Sequence, residues 1–178
     1  MIVLVGASAS GKTELAKQLY QSFGYTKCIT TTTREPRINE VDGIDYHFLT
    51  KEAFHDLMDK DAFYEVTTYN GYFYGIQKHD VNDKGVIIVD PHGANTLVDK
   101  AQDHVFVVFV ETSEKLRKKR MLLRGDALDL IEKRLHHDAE VFQKQAFKRI
   151  DLLIHNEEHT LIELAETVHH TYQIFLKG

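Results

Sequence analysis

The residues most suited to chemistry lie near the start of the chain, at positions 6–13. Their sequence, Gly-Ala-Ser-Ala-Ser-Gly-Lys-Thr, is a full match to the pattern G-x-x-x-x-G-K-[ST]. Glycines let backbone N–H groups converge on phosphate oxygens, and the positive end of a following helix points at them. The Lys12 ammonium can reach the outer phosphates, and the Thr13 hydroxyl can ligate Mg²⁺. The motif predicts a nucleoside triphosphate site with Mg²⁺, built from Gly6, Ala7, Ser8, Ala9, Ser10, Gly11, Lys12 and Thr13.

This loop needs a strand before it and a helix after it. The apolar run 2–5 has the length of a buried strand, and apolar residues then recur at helical spacing over 15–23. Further apolar runs predict strands at 27–30, 86–89, 105–110 and 152–154, with helices between most of them. The pattern predicts an α/β fold with a five-stranded parallel sheet covered by helices on both faces.

Composition sets the class of protein. A chain of 178 residues is the size of one domain, and 43% hydrophobic with 28% charged residues is typical of a soluble globular protein. The net charge of −5 argues against a general nucleic-acid or membrane binder. Cys28 is the lone cysteine, so no internal disulfide is possible. With no signal peptide or membrane span in the pattern, we expect a cytoplasmic protein.

Residues 31–48 break the periodicity and carry polar groups suited to holding an anion. Arg34 and Arg37 lie three residues apart and are braced by Pro36. Guanidinium forks of this kind bind phosphate well. The sequence predicts a short helix capped by Thr50, followed by a hairpin at 63–74 that turns at Asn70-Gly71.

Several stretches, in the same order along nearly the whole chain, resemble the guanylate kinase family. They are Thr-Thr-Arg-Glu-Pro-Arg through Asp-Tyr-His-Phe at 32–48, Phe-Tyr-Glu at 63–65, Asn-Gly-Tyr-Phe-Tyr-Gly at 70–75, the strand end at 90–93, Arg120 with Arg124-Gly125 and Arg134, and Ile-His-Asn at 154–156. The resemblance implies a P-loop NTPase core with an acceptor-nucleotide insert and a short lid. It divides the chain into a core of 1–30, 82–123 and 135–178, a GMP-binding insert of about 31–81 and a lid of about 124–134.

The resemblance implies transfer of the γ-phosphate of ATP to GMP or dGMP. Arg34 and Arg37, with the hydroxyls of Tyr46 and Tyr74, would bind the acceptor phosphate. Glu65 would accept hydrogen bonds from N1–H and N2–H₂ of guanine, whereas adenine presents a lone pair at N1 and is repelled. Further acceptor contacts are implied for Thr30, Glu40, Gly75 and Asp90.

The resemblance also assigns residues to the donor side. Arg120, Arg124 and Arg134 match the family's lid and helix arginines, which meet the charge on the transferring phosphoryl group. With Lys12 and Arg34 they form the expected catalytic set. Asn156 is implied on the adenine side of ATP.

The chain departs from the family pattern at named positions, and two alternatives stay open. Ile76 stands where the family usually has Ser or Thr, and Ile88 where it often has a second Asp. The lid is also about one residue shorter than usual. The loss of a base-reading hydroxyl at Ile76 motivates the first alternative, a kinase with relaxed or different base specificity. The second is a domain without turnover that binds another protein; the intact Lys12 and Arg124 count against it.

Overall fold

The computed structural model describes residues 1–36, 38, 40–69 and 71–178. The strands are β1 (Ile2–Val5), β2 (Thr26–Lys27), β3 (Thr31–Thr32), β4 (His47–Phe48), β5 (Phe63–Tyr69), β6 (Tyr72–Gln77), β7 (Gly85–Ile88), β8 (Phe106–Glu111) and β9 (Leu152–His155). The helices are α1 (Lys12–Phe23), α2 (Lys51–Asp59), α3 (Pro91–Ala101), α4 (Glu114–Leu123), α5 (Leu128–Val141) and α6 (Leu161–Phe175). Within these ranges, none of the helices has the length and apolar content that a membrane span needs.

The main sheet has five parallel strands in the order β2-β7-β1-β8-β9. β1 is central, with Val3 opposite Ile87 on one side and Val107 on the other. Because β1 leads directly into the glycine loop, this loop lies at the carboxyl edge of the sheet, where α/β folds bind their ligands. The predicted α/β fold with a five-stranded parallel sheet is confirmed.

Alternation along β1 divides the core between the two faces of the sheet. Ile2 and Leu4 pack in the cluster that includes the apolar faces of α1 and α6, where Tyr172 is fully buried. Val3 and Val5 pack in the other cluster, which includes Leu97 of α3. A strand with both faces covered must be apolar at every position, which explains the continuous run in the sequence.

A second sheet, in the order β4-β3-β6-β5, contains several of the residues predicted to bind the acceptor. Phe54 of α2 stacks on Phe63 of β5 with ring centroids 4.6 Å apart. A Cβ on Gly75 would lie 2.6 Å from the Phe63 ring, so close packing requires glycine there. This packing fixes β6, and with it Tyr74 and Ile76, against the rest of the insert.

Local predictions had mixed outcomes. Thr50 does cap α2, because its hydroxyl accepts a hydrogen bond from the N–H of Ala53 at 3.1 Å. β2 is shorter than the predicted 27–30 and begins one residue earlier. Ser113 is at the N-cap position of α4, but its side chain makes no capping bond, and its N–H donates to the Glu157 carboxylate at 2.5 Å.

Candidate active site

Residues 6–13 form a tight loop whose backbone depends on glycine at two positions. Gly6 and Gly11 have φ angles of 142° and 100°. A Cβ at Gly6 would lie 2.4 Å from the carbonyl oxygen of Val110, and one at Gly11 would lie 2.0 Å from Nδ2 of Asn156. Both the positive φ and the close approach exclude a side chain. The loop therefore leads tightly into the start of α1, where the helix dipole attracts anions.

Lys12 lies folded against this loop. Its ammonium donates to the carbonyl oxygens of Gly6 at 2.6 Å and Ala7 at 2.8 Å. Burial lowers the pKa of Lys12 to about 8, and the Asp138 carboxylate partly opposes that shift. The lysine therefore keeps its positive charge at neutral pH, next to the loop amides.

A buried ion pair supports the other side of the loop. Arg117 of α4 donates to Oδ2 of Asp138 of α5 at 2.9 Å, and the two side chains are 7% and 4% exposed. The Asp138 carboxylate also accepts from the N–H of Ser8 at 2.9 Å and from its hydroxyl at 3.2 Å. The helices α4 and α5, which are far from the glycine loop in the sequence, thus hold the middle of that loop.

A cavity of about 280 Å³ opens beside the loop. Its described lining consists of Ala9, Gly11, Lys12, Thr13, Glu14, Arg120 and Arg124. A magnesium ion in a phosphate site usually takes one or two protein oxygens and fills its shell with phosphate oxygens and water. The exposed Thr13 hydroxyl at the start of α1 fits that requirement.

A second cavity, of about 210 Å³, lies between the two sheets. Its described lining consists of Thr30, Tyr46, Glu65, Thr67, Tyr74, Gly75, Ile76, Val89, Asp90 and Gly93. The acceptor residues predicted from the sequence at 30, 46, 65, 74, 75 and 90 thus meet around one space. Apolar walls with a few polar groups are typical of a small-molecule site.

Glu65 is the acidic group best placed to read a ligand in this cavity. Its side chain is 11% exposed, and His92 Nε2 lies 3.9 Å from its carboxylate. Burial is the main cause that raises the pKa of Glu65, His92 lowers it and Asp90 raises it. Asp90 is itself engaged, because its Oδ1 accepts from the N–H of Gly93 at 2.8 Å as the N-cap of α3.

Arg34 lies beside this cavity. Its guanidinium carbon is 5.4 Å from the centroid of the Tyr46 ring, within the range of a cation–π contact. One of its terminal nitrogens donates to both carboxylate oxygens of Glu40, at 2.9 and 2.8 Å. Glu40 is the main cause of a raised Arg34 pKa, with a smaller contribution from the Tyr74 hydroxyl. Arg34, Glu40, Tyr46 and Tyr74 therefore form one cluster, and Arg37 lies outside the described residues.

The family model for guanylate kinase matches residues 1–171. The chain belongs to the guanylate kinase family. A guanylate kinase of Helicobacter pylori (strain ATCC 700392 / 26695) is 32% identical over 189 residues, which cover 98% of this chain and 90% of that protein. One from Campylobacter jejuni (strain RM1221) is 34% identical over 168 residues, covering 89% and 81%.

Solved structures agree on the fold of this guanylate kinase family member. A crystal structure of guanylate kinase from Anaplasma phagocytophilum matches with a TM-score of 0.63 and 22% identity, covering 98% of this chain and 84% of that one. A gluconokinase from Sinorhizobium meliloti 1021 matches with a TM-score of 0.54 and 14% identity, covering 97% and 91%. At these identities the likeness extends to the architecture of the sheet and helices.

The arginines expected in the lid of this family member are paired in the structure. Nε of Arg124 donates to Oδ1 of Asp126 at 3.0 Å, and a second Arg124 nitrogen also contacts this carboxylate. Arg134, which lies within α5, donates to Oδ2 of Asp126 at 2.7 Å. These contacts hold the pKa of Asp126 below its usual value, with Arg124 the larger cause.

Arg120 and Asn156 are attached to the loop backbone. The guanidinium of Arg120 donates to the carbonyl oxygens of Ala9 at 3.2 Å and of Asn156 at 3.1 Å. The amide nitrogen of Asn156 donates to the carbonyl oxygen of Ser10 at 2.7 Å, and the residue is 5% exposed. Asn156 therefore supports the backbone of the glycine loop. The sequence predicted a contact with the adenine of ATP for this residue and did not predict this support of the loop.

The two departures from the family pattern differ in position. Ile76 is 4% exposed and lines the cavity between the two sheets, on the strand that pairs with Glu65. Ile88 is 40% exposed at the end of β7. Ile76 therefore places an apolar side chain next to Glu65, the carboxylate predicted to bind the base. Ile88 instead faces solvent at the carboxyl edge of the main sheet.

The Arg117–Asp138 pair is the part of the site that the sequence analysis missed. Arg117 belongs to a run of charged residues on α4, and such a run predicts a solvent-exposed helix face. The available signal is on α5, where Asp138 follows Ile131 and Leu135 at helical spacing on a buried face. A carboxylate in such a stripe needs a buried cationic partner.

Proposed function

We propose that this member of the guanylate kinase family transfers the γ-phosphoryl group of ATP to GMP or dGMP, producing ADP and GDP or dGDP. The observation that carries the proposal is the largely buried Glu65 carboxylate in the acceptor cavity, with the Arg34–Tyr46–Tyr74 cluster beside it. One end of that arrangement suits a purine with two adjacent N–H donors, and the other suits a phosphate.

Base selection follows from hydrogen-bond chemistry. An ionised Glu65 can accept from N1–H and N2–H₂ of guanine together. Adenine offers an acceptor at N1, which would leave the buried carboxylate unpaired, and such polar mismatches discriminate strongly. The hydroxyls of Thr30 and Thr67 in the same lining are further candidates for base contacts.

The acceptor phosphate would bind at Arg34 with the hydroxyls of Tyr46 and Tyr74, and we expect Arg37 to join them. In the structure the Arg34 guanidinium is held by Glu40. A phosphate must therefore displace that carboxylate or share the guanidinium with it. Glu40 thus keeps Arg34 oriented until an acceptor arrives.

On the donor side, the amides of the glycine loop and Lys12 would bind the triphosphate, and Thr13 would hold Mg²⁺. When bound, that ion supplies neutralisation of phosphate charge. The acceptor phosphate is already ionised at neutral pH and needs no general base. Arg120, Arg124 and Arg134 would meet the charge that develops on the transferring group, and one such arginine can contribute about 10³–10⁵ in rate.

An acceptor panel tests the proposal. ADP release is measured with GMP, dGMP, IMP, AMP, CMP and UMP, on the unaltered protein and on Glu65→Gln and Ile76→Ser. We expect GMP and dGMP to be preferred, and Glu65→Gln to lose the preference over AMP because the amide cannot accept from both donors at once. Ile154→Ser is the matched control, since Ile154 is also 4% exposed but packs in the other core cluster.

The outcomes separate the alternatives. Equal turnover of purine and pyrimidine acceptors would support the relaxed-specificity alternative that Ile76 motivates. In that case Ile76→Ser should gain guanine preference while Ile154→Ser does not. Absence of ADP release at high protein concentration with every acceptor would refute the proposal and favour a non-catalytic binding domain.

A further inference from the structure

Two histidines and an aspartate meet at the base of the second sheet, outside the described lining of both nucleotide cavities. Nε2 of His47 lies 3.9 Å from Oδ2 of Asp80, and Nε2 of His79 lies 3.3 Å from Oδ1 of the same carboxylate. One ligand atom from each residue can be chosen so that all three lie within 4.8 Å of one another. The two imidazole ring centroids are 6.3 Å apart.

Two atoms of this cluster are buried without a hydrogen-bond partner among the described residues. They are Nε2 of His47 and Oδ2 of Asp80, which face each other at a distance too long for a hydrogen bond. Leaving a buried polar atom unpaired destabilises the folded protein, so such atoms usually indicate a missing partner. A single cation between them would satisfy both.

The backbone already fixes the three ligands near one another. The N–H of His47 donates to the carbonyl oxygen of Thr30 at 2.9 Å, and His47 is paired with Thr31 in the sheet. His79 and Asp80 lie in the short 3₁₀ helix Lys78–Asp80 that directly follows β6. No long loop has to be ordered to bring them together.

We propose that His47, His79 and Asp80 bind a divalent transition-metal ion of the zinc class. Two imidazoles and one carboxylate form a donor set that suits Zn²⁺ better than Mg²⁺ or Ca²⁺, which prefer oxygen ligands. Ligands at about 2.0–2.1 Å from a tetrahedral ion lie about 3.3 Å from each other. The separations of 3.3 and 3.9 Å involve different oxygens of Asp80, and the set with one ligand atom from each residue fits within 4.8 Å. The ligand atoms must therefore approach one another by up to about 1.5 Å to reach that geometry.

The site would be independent of the phosphoryl transfer and would act on the insert. His47 lies on β4, and His79 and Asp80 lie where the chain leaves β6 towards the main sheet. An ion bound by all three would connect these two segments. Three protein ligands leave a fourth position for water, so we expect a metal that stabilises the insert and does not touch the acceptor.

Zinc titration of the full chain without nucleotide tests the proposal. Calorimetry and competition with a chromophoric chelator measure stoichiometry and affinity, and Co²⁺ in place of Zn²⁺ reports the coordination number by its visible absorption. The variants are His79→Ala, whose side chain is 66% exposed, and the isosteric Asp80→Asn. The control is His136→Ala, which removes a histidine that is 83% exposed and also faces a carboxylate, that of Glu140 at 3.4 Å.

We expect one Zn²⁺ per chain, a rise in Tm on saturation, and a loss of at least about tenfold in affinity in both site variants. His136→Ala should bind as the unaltered protein does. The proposal is overturned if the unaltered chain takes up no stoichiometric Zn²⁺, if His79→Ala binds it equally well, or if His136→Ala loses it to the same extent. None of these readouts depends on kinase activity, so the outcome is separate from that of the acceptor panel.

Discussion

Removing the Asp138 carboxylate should test whether the buried pair with Arg117 supports the glycine loop. Asp138→Ala deletes the acceptor of the Arg117 guanidinium and of the Ser8 N–H, both at 2.9 Å. The guanidinium, only 7% exposed, would then be a buried charge without its carboxylate. Breaking a buried pair from one side costs about 3–5 kcal/mol, a large share of the roughly 5–15 kcal/mol that stabilises a typical domain.

The double variant Arg117→Met/Asp138→Leu provides the comparison. Both charges are removed together, so the desolvation cost of an unpaired ion disappears and most of the stability should return. The N–H of Ser8 still lacks its acceptor, which leaves a residual cost of about 1–3 kcal/mol. Urea unfolding followed by far-ultraviolet circular dichroism measures both variants, since the chain has no tryptophan for fluorescence.

Nucleotide binding should respond differently from stability. Asp138 raises the pKa of Lys12, so its loss should lower that pKa below about 8 and weaken ATP binding at neutral pH. The double variant also lacks the carboxylate, but it removes the Arg117 charge that lowers the Lys12 pKa, so it should recover ATP affinity only in part. The reasoning is refuted if Asp138→Ala costs less than about 1 kcal/mol, or if the double variant is as unstable as the single one.

Two further predictions concern the same loop. Because burial lowers the Lys12 pKa from 10.5 to about 8, kcat/KM for ATP should be constant below that pH and fall above it; a profile flat to pH 10 would contradict the assignment. Gly11→Ala should abolish ATP binding in calorimetry, because its Cβ would meet the Asn156 amide at 2.0 Å. Gly24→Ala, at the other end of α1 with φ of 67° and open space around it, should cost only about 1–2 kcal/mol in stability and keep ATP binding.

Features set by local sequence were predictable. The strand–loop–helix order at 2–23 and the Thr50 cap depend on neighbouring residues, and both are present in the structure. The acceptor residues were identified through a family pattern, and the structure brings Glu65, Tyr46 and Tyr74 to one cavity. Their roles in binding and catalysis remain predictions.

Features that depend on distant partners were not predictable. Asp138 and Ser8 are joined only because α5 packs beneath the loop, and no spacing in the sequence encodes that contact. The cluster of His47, His79 and Asp80 likewise forms through the pairing of β3 with β4 and β6.

The position of the second sheet has a consequence for how such proteins diversify. β2 and β7 are neighbours at one edge of the main sheet, and all strands of the second sheet fall between them in the chain. The stretch is therefore an insertion at one edge of the main sheet. The neighbouring strands β7, β1, β8 and β9 pair with one another without it. If the proposed function holds, evolution could replace this stretch as a unit and so change the acceptor, while the strands around the glycine loop stay unchanged.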